Sequence, residues 1–229
     1  MSLILYGAPL SPFVRKADAF LREKGAPFAL ESVTILPMPE WFLEISPAKR
    51  IPVLRDTEIA TEGVAGTIPD SSAICAYAER KFPEPALYPS DPYLLGRAVW
   101  LEEYCDTELA MPIGLGVFRP IQFKRFVGEE PDVAAARKNY AEKLPRPLDY
   151  LEGELGSHQF LVGNKLSIAD IAMTCTLAQL ELVAGPLDPS RWPALSRLVA
   201  AMSQRDSFKP CLEICRKMIK EDPINLQGS

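Results

Sequence analysis

Histidine is nearly missing from this chain of 229 residues: the single one, His158, lies in a Gly-Ser-His-Gln loop and reads as an exposed loop residue, not a catalytic base. Cysteine is sparse and odd in number. Cys75, Cys105, Cys175, Cys211 and Cys215 fall mostly in apolar helical patterns, which points to buried free thiols and away from a disulfide framework. Cys211 and Cys215 share a helix face at i, i+4, but no second Cys or His pair accompanies them, so no metal site is expected. A basic excess is also absent. The net charge of -5 and pI near 5.1 argue against nucleic acid or an anionic membrane as the main partner. No apolar run approaches the roughly 18 residues of a spanning helix, and MSLILYGAPL has no basic segment ahead of a long apolar stretch, so a cytoplasmic protein is expected. Internal repeats and low-complexity tracts are absent as well.

What remains is ordinary for a globular chain: 48% apolar and 24% charged residues, enough for one large or two small domains. Short β-type runs alternate with helical ones over the first eighty or so residues. Leu3 to Tyr6 reads as a strand, Pro12 to Lys24 as a helix closed by Gly25, and Phe28 to Val33 as a second strand. A short helix around Glu40 to Ile45, an extended Ile51 to Arg55, a turn-rich stretch ending in Gly66-Thr67-Ile68 and a helix from Ser71 to Lys81 follow. Such alternation predicts a small α/β domain. Phe82 to Pro92 then carries four prolines in eleven residues and cannot continue a helix. Beyond it, amphipathic patterns over Tyr93 to about Met111, Asp132 to Leu155, Ile168 to Val183, Pro193 to Arg205 and Phe208 to Ile219 predict an all-helical bundle, broken or kinked at Pro145 and Pro147. The expected division is residues 1–82, a linker over 83–91, and residues 92–229.

Four short motifs carry the chemistry. Ser11-Pro12 opens a helix in the usual manner, serine at the N-cap and proline at the first helical position. In Ser46-Pro47-Ala48-Lys49-Arg50-Ile51-Pro52-Val53-Leu54 a proline directly precedes an apolar strand. Either the strand is an edge with a trans proline, which base rates favour, or the Ile51-Pro52 bond is cis and leaves the Ile51 backbone free to pair with an extended ligand. Asp70-Ser71-Ser72 sets an acid and hydroxyls at a helix start; capping is the plain role, yet such a start also holds a ligand carboxylate while the acid holds an ammonium. Ser167-Ile168-Ala169-Asp170 reads as a capping box, with Leu166 and Ile171 as a hydrophobic staple.

Together, Ser-Pro-Phe-Val-Arg-Lys at 11 to 16, the 46 to 54 segment, Asp-Ser-Ser-Ala-Ile at 70 to 74 and Ser-Ile-Ala-Asp-Ile at 167 to 171 resemble the cytosolic glutathione transferases, in order and at family-like spacing from Leu3 to about Phe208. The resemblance implies a thioredoxin-like α/β N-terminal domain that binds glutathione and an all-α C-terminal bundle that supplies much of the pocket for a hydrophobic small-molecule electrophile. It also implies a homodimer and a role in detoxification. Carried over by position, Ser11 donates to the glutathione sulfur and Phe13 lies beside it. Asp70 meets the γ-glutamyl ammonium, and Ser71 the γ-glutamyl carboxylate. Ile51, before a cis Pro52, pairs its backbone with the cysteinyl unit, and Arg50 lies near the glycine carboxylate. Glutathione is the one co-substrate implied, with no metal.

The chain departs from the family in places. Lys49 replaces the usual glycine of Asn-Pro-x-Gly-Lys, and Asp56 to Thr67 is longer than the usual tight hairpin. Position 11 is serine where disulfide-exchanging relatives carry cysteine, which disfavours that chemistry. Tyr6 competes with Ser11 for the sulfur, but Ser11 sits where helix-start amides converge, and Tyr6 is expected to pack by its ring. Gly7, Ala8, Leu10, Phe13, Tyr104, Met111, Val117, Phe118 and Arg119 are candidates for lining the electrophile pocket. Two other functions compete with conjugation: a non-catalytic binding or scaffold protein, and a glutathione-dependent isomerase, whose usual Ser-Ser-Cys run is absent around Ser11.

Overall fold

The computed structural model describes residues 2–226. Its N-terminal part runs β1 (Leu3–Tyr6), α1 (Pro12–Glu23), β2 (Phe28–Glu31), α2 (Glu40–Ile45), β3 (Val53–Asp56), β4 (Thr67–Pro69) and α3 (Ser71–Lys81). The strands form one sheet in the order β2-β1-β3-β4, with β1 parallel to β2 and antiparallel to β3, and β4 antiparallel to β3. This is the thioredoxin-like arrangement. Alternation along β1 divides the core. Leu3 and Leu5 join the main apolar cluster with α1 and α3, while Tyr6 joins a smaller cluster with Val33, Phe42, Ile45 and Val53 on the α2 face.

The remainder is helical. α4 (Pro92–Tyr104) continues through a π-helical segment (Cys105–Leu109), α5 (Ala110–Ile113), a second π segment (Gly114–Phe123) and α6 (Lys124–Phe126). The Asp132 to Leu155 pattern is broken at the expected place into α7 (Val133–Lys143) and α8 (Pro145–Leu155), because Pro145 and Pro147 fall in the first turn of the second helix. α9 (Ile168–Ala184), α10 (Pro193–Ser203) and α11 (Lys209–Met218) complete the bundle. The helix expected to end near Met111 therefore runs fifteen residues further, to Phe126. Pro112 and Pro120 supply no amide, which masks this run in the sequence. Asn139 of α7 donates to the Pro112 carbonyl at 2.9 Å. Gly116 permits that approach, since a Cβ there would lie 2.1 Å from Asn139 Cγ.

α1 joins the two halves: it packs on α3 of the sheet domain and on α9 of the bundle. Every residue from Val14 to Leu21 is buried in consequence, charged ones included. The long 56–67 loop is built around Arg55. Its guanidinium donates from Nη2 to the Gly63 carbonyl (2.8 Å) and from Nη1 to those of Ala65 (3.2 Å) and Ala60 (3.4 Å). All five cysteines are buried and unbridged.

Candidate active site

The register of the sheet brings the motifs to one end. Tyr6 lies opposite Val53, and Val53 opposite Pro69, so the chain leaves the same edge at Gly7, Pro52 and Asp70. The contact is direct between two of them, the Asp70 amide donating to the Pro52 carbonyl at 3.3 Å. From Gly7 a turn leads to Ser11, whose amide donates to Ala8 O at 2.9 Å. Gly7 is required there, because a Cβ would stand 2.5 Å from Val14 Cγ2 of α1.

Ser11 caps α1 loosely. Its hydroxyl oxygen accepts from the Val14 amide at 3.4 Å, and among the described residues the hydroxyl donates to nothing. An oxygen that accepts from its own helix keeps its proton for another acceptor, so capping and donation outward are compatible. Tyr6 is buried, its ring edge-on to Trp41 with centroids 5.2 Å apart.

Ser46, itself buried, sets the second strand of the site. Its hydroxyl accepts from the Arg50 amide at 3.0 Å and donates to the Arg50 carbonyl at 2.7 Å, closing a tight loop. Lys49 in that loop has φ 53°, a left-handed conformation that favours glycine and accounts for the family's usual residue. The Ile51-Pro52 bond is cis. Among the described residues neither backbone group of Ile51 has a partner. Arg50 is exposed, Ile51 and Phe13 are half-buried, and Pro52 is buried.

Asp70 stands at φ 92°, ψ 135°, a left-handed φ in a non-glycine residue. Strain of this kind gathers at ligand sites. One carboxylate oxygen, Oδ1, accepts from the Ser72 (2.9 Å) and Ala73 (3.2 Å) amides, which leaves Oδ2 uncommitted. Ser71 follows as the first residue of α3, nearly buried, its amide and hydroxyl without partners among the described residues.

Sequence reasoning missed the charged cluster behind Ser71. Lys16 reaches across from α1 and donates to Ser72 Oγ and Glu102 Oε1, both at 2.9 Å, and to Asp106 Oδ2. Burial opposes the Lys16 charge, but Asp106 and Glu102 outweigh it and its pKa rises. For Asp106 burial dominates the opposing pull of Lys16, and its pKa is pushed up to about 6. Between the unperturbed 3.8 and about 6, the folded protein holds a proton there that the unfolded chain has lost. This group's contribution to stability is therefore fully present below 3.8 and is lost as pH rises through 6. Urea unfolding across that window is expected to show this loss, and Asp106→Asn to flatten it; an unchanged slope in the variant would refute the assignment.

The electrophile candidates fare unevenly. Val117 is fully buried in the main core, and Gly7 faces Val14. Tyr104 is occupied by rings, with Tyr150 at 4.6 Å and Trp100 at 5.7 Å. Leu10 and Phe118 are half-buried against the core, Met111 is exposed, and Arg119 lies over the Phe123 ring at 5.5 Å. Ala8 and Phe13, beside Ser11, stay half-open.

Comparison with known proteins fits this geometry. Residues 5–86 match the glutathione S-transferase N-terminal domain, and residues 108–206 the C-terminal domain. FtsZ-localized protein A of Caulobacter vibrioides is 28% identical over 209 residues, 91% of this chain and 90% of its own length. A crystal structure of a glutathione S-transferase from Rhodospirillum rubrum superposes with a TM-score of 0.81 at 27% identity over 91% of each chain. One from Methylobacterium radiotolerans, in complex with glutathione sulfonate, gives 0.73 at 27% identity over 92% of this chain and 94% of that one.

Proposed function

We propose that this chain, which belongs to the glutathione S-transferase family, binds glutathione at the sheet end and stabilises its thiolate for attack on a hydrophobic electrophile. One observation carries the reading: the hydrogen-bonding capacity left over at this edge matches an amino-acid head, a peptide and a thiol, in that order. Asp70 Oδ2 is free for the ammonium, and the Ser71 amide and hydroxyl at the start of α3 are free for the carboxylate. The Ile51 backbone beside Pro52 is unpaired and suits the cysteinyl unit, with exposed Arg50 next to it for the glycine carboxylate. The Ser11 hydroxyl retains its proton for the sulfur.

The electrophile enters over Ala8 and Phe13 from the helical half. A homodimer suits the apolar strip of α4, where Tyr93, Val99 and Trp100 are 74%, 44% and 47% exposed. Isothermal titration with glutathione, the ultraviolet absorbance of the bound thiolate against pH, and sedimentation of the free protein test these statements together. Micromolar to millimolar binding with a thiol pKa below the free value of ~8.5 is expected. Absence of binding refutes the reading.

A second reading, a binding or scaffold protein without catalysis, draws on the similarity to FtsZ-localized protein A. It predicts no thiolate signal.

A further inference from the structure

The proposed function leaves one residue of the Ser11 motif without a role. α1 carries three cations, and two have carboxylate partners, Lys16 with Glu102 and Asp106 and Arg22 with Asp18. Arg15 has none among the described residues, although it is only 2% exposed. Its Nη1 donates to the carbonyls of Pro9 (3.1 Å) and Leu10 (3.0 Å) and lies 3.7 Å from Cys215 Sγ. Its Nη2 donates to the Cys175 carbonyl (2.9 Å) and to Gln179 Oε1 (2.7 Å) on α9. Its Nε is buried without a partner.

No carboxylate partners this guanidinium among the described residues, and the pKa of the Cys215 thiol beside it is drawn down to about 6, against burial, by its contact with Cys211 and by Arg15 itself. α9 presents Cys175 and Gln179, while α11 presents the Cys211 and Cys215 thiols, which approach the same Pro9 carbonyl at 3.8 and 3.2 Å. Asp18, on α1 itself, is bound by Arg22 at 2.8 and 3.2 Å. Carbonyl and amide oxygens solvate a guanidinium, but they do not cancel its charge. A buried cation without a carboxylate counter-ion is costly, and its potential, already acting on the Cys215 thiol, reaches furthest where water is excluded.

That potential has a definite target. Pro9 and Leu10 are the two residues immediately before Ser11, and Arg15 is one helical turn after it. The same side chain therefore grips the turn that carries the hydroxyl, ties that turn to α9 of the bundle, and places a full positive charge under the helix start.

We propose that Arg15 is a positioning residue of the thiol site: it fixes the Pro9-Leu10-Ser11 turn against the helical half and supplies positive potential that lowers the pKa of a thiol at Ser11. The inference rests on the reading that this position faces a thiol. Arg15 itself touches no substrate.

Ser11→Cys installs a reporter thiol on the chain and makes the test independent of glutathione, since the five native cysteines are all buried. The pH dependence of its alkylation by iodoacetamide gives its pKa. Adding Arg15→Gln is expected to raise that pKa by about one unit, a roughly tenfold smaller thiolate fraction at pH values below it. Arg15→Lys, which keeps the charge but loses the forked grip, should restore most of the shift. An unchanged pKa in the Arg15→Gln background overturns the proposal, even if thermal stability falls, because a merely structural role predicts that pattern. Should Arg15→Gln fail to fold, Ser11→Cys with Gln179→Met removes only the 2.7 Å anchor; a smaller rise supports the proposal and no rise overturns it. Failure of the unaltered protein to bind glutathione would refute the proposed function and leave this comparison standing.

Discussion

Replacing Ser11 by glycine is expected to abolish the thiolate absorbance of bound glutathione near neutral pH and to lower kcat about 100-fold, while leaving the protein almost as stable as before. The size follows from the chemistry assigned to the hydroxyl. A thiol of pKa ~8.5 is roughly 3% ionised at pH 7, and bringing it to mostly thiolate takes about two units, or ~2.7 kcal/mol. One charge-assisted hydrogen bond contributes about 1.5 to 3 kcal/mol and the start of a helix about 0.3 to 1. No general base is needed in this sum. Loss of one preorganised donor costs about 10²–10³ in rate at comparable sites.

Glycine separates the two roles of Ser11 better than alanine does. At an N-cap, Ser→Ala costs about 0.5 to 2 kcal/mol, whereas glycine costs only a few tenths. The cap bond here is long, 3.4 Å to the Val14 amide, so even alanine belongs near the low end. Glycine therefore removes the hydroxyl and keeps the helix start. Tyr6→Phe is the counterpart: its ring packs on Trp41 in the α2 cluster, and loss of its hydroxyl is expected to leave the thiolate signal intact. Retention of the signal in Ser11→Gly with its loss in Tyr6→Phe would reverse the assignment.

The chain states the polar edge of the sheet locally and its interior only at long range. Ser11-Pro12, Ser46 through Pro52 and Asp70-Ser71 are legible because turn, cap and proline chemistry operate within a few residues. Helices α2 and α3 match their expected spans for the same reason. Arg15 and Lys16 are different. In sequence they look like the polar stripe of an amphipathic helix, yet their partners lie at Cys175 and Gln179, and at Ser72, Glu102 and Asp106. Only docking of α1 between sheet and bundle turns that stripe inward. The continuation of α4 to Phe126 was hidden by Pro112 and Pro120, which locally signal a stop that packing on α7 and α9 overrides.

Asp170→Ala is expected to be the most destabilising of these substitutions, by about 3 to 5 kcal/mol in urea or guanidinium unfolding. Read as a capping box alone, the motif at Ser167 and Asp170 is worth the usual cap range of about 0.5 to 2 kcal/mol. The structure enlarges its task. Asp170 is fully buried, and its Oδ1 accepts from the Leu161 amide at 2.8 Å, a residue outside α9 altogether. Its Oδ2 accepts from the Ser167 amide and hydroxyl, each at 2.9 Å. Burial pushes the carboxyl pKa up against these three donors. Alanine strands two buried amides on different segments and detaches the 161–167 turn from the helix. Asp170→Asn keeps one acceptor but turns an amide group toward the remaining donor, so a loss of about 1 to 3 kcal/mol is expected. Ser167→Ala removes the hydroxyl that donates to Asp170 Oδ2 and accepts from the Asp170 amide, a cap loss of about 0.5 to 2 kcal/mol, and should cost least. Equal losses for Ser167→Ala and Asp170→Ala would reduce the motif to a cap. Against total stabilities of about 5 to 15 kcal/mol, a loss of the size expected for Asp170→Ala removes a large share of the margin. Since α9 packs on α1 and supplies the Gln179 and Cys175 oxygens that hold Arg15, its loss also releases the turn before Ser11. Glutathione binding in Asp170→Ala should accordingly fall in step with the folded fraction, with kcat per folded molecule unchanged.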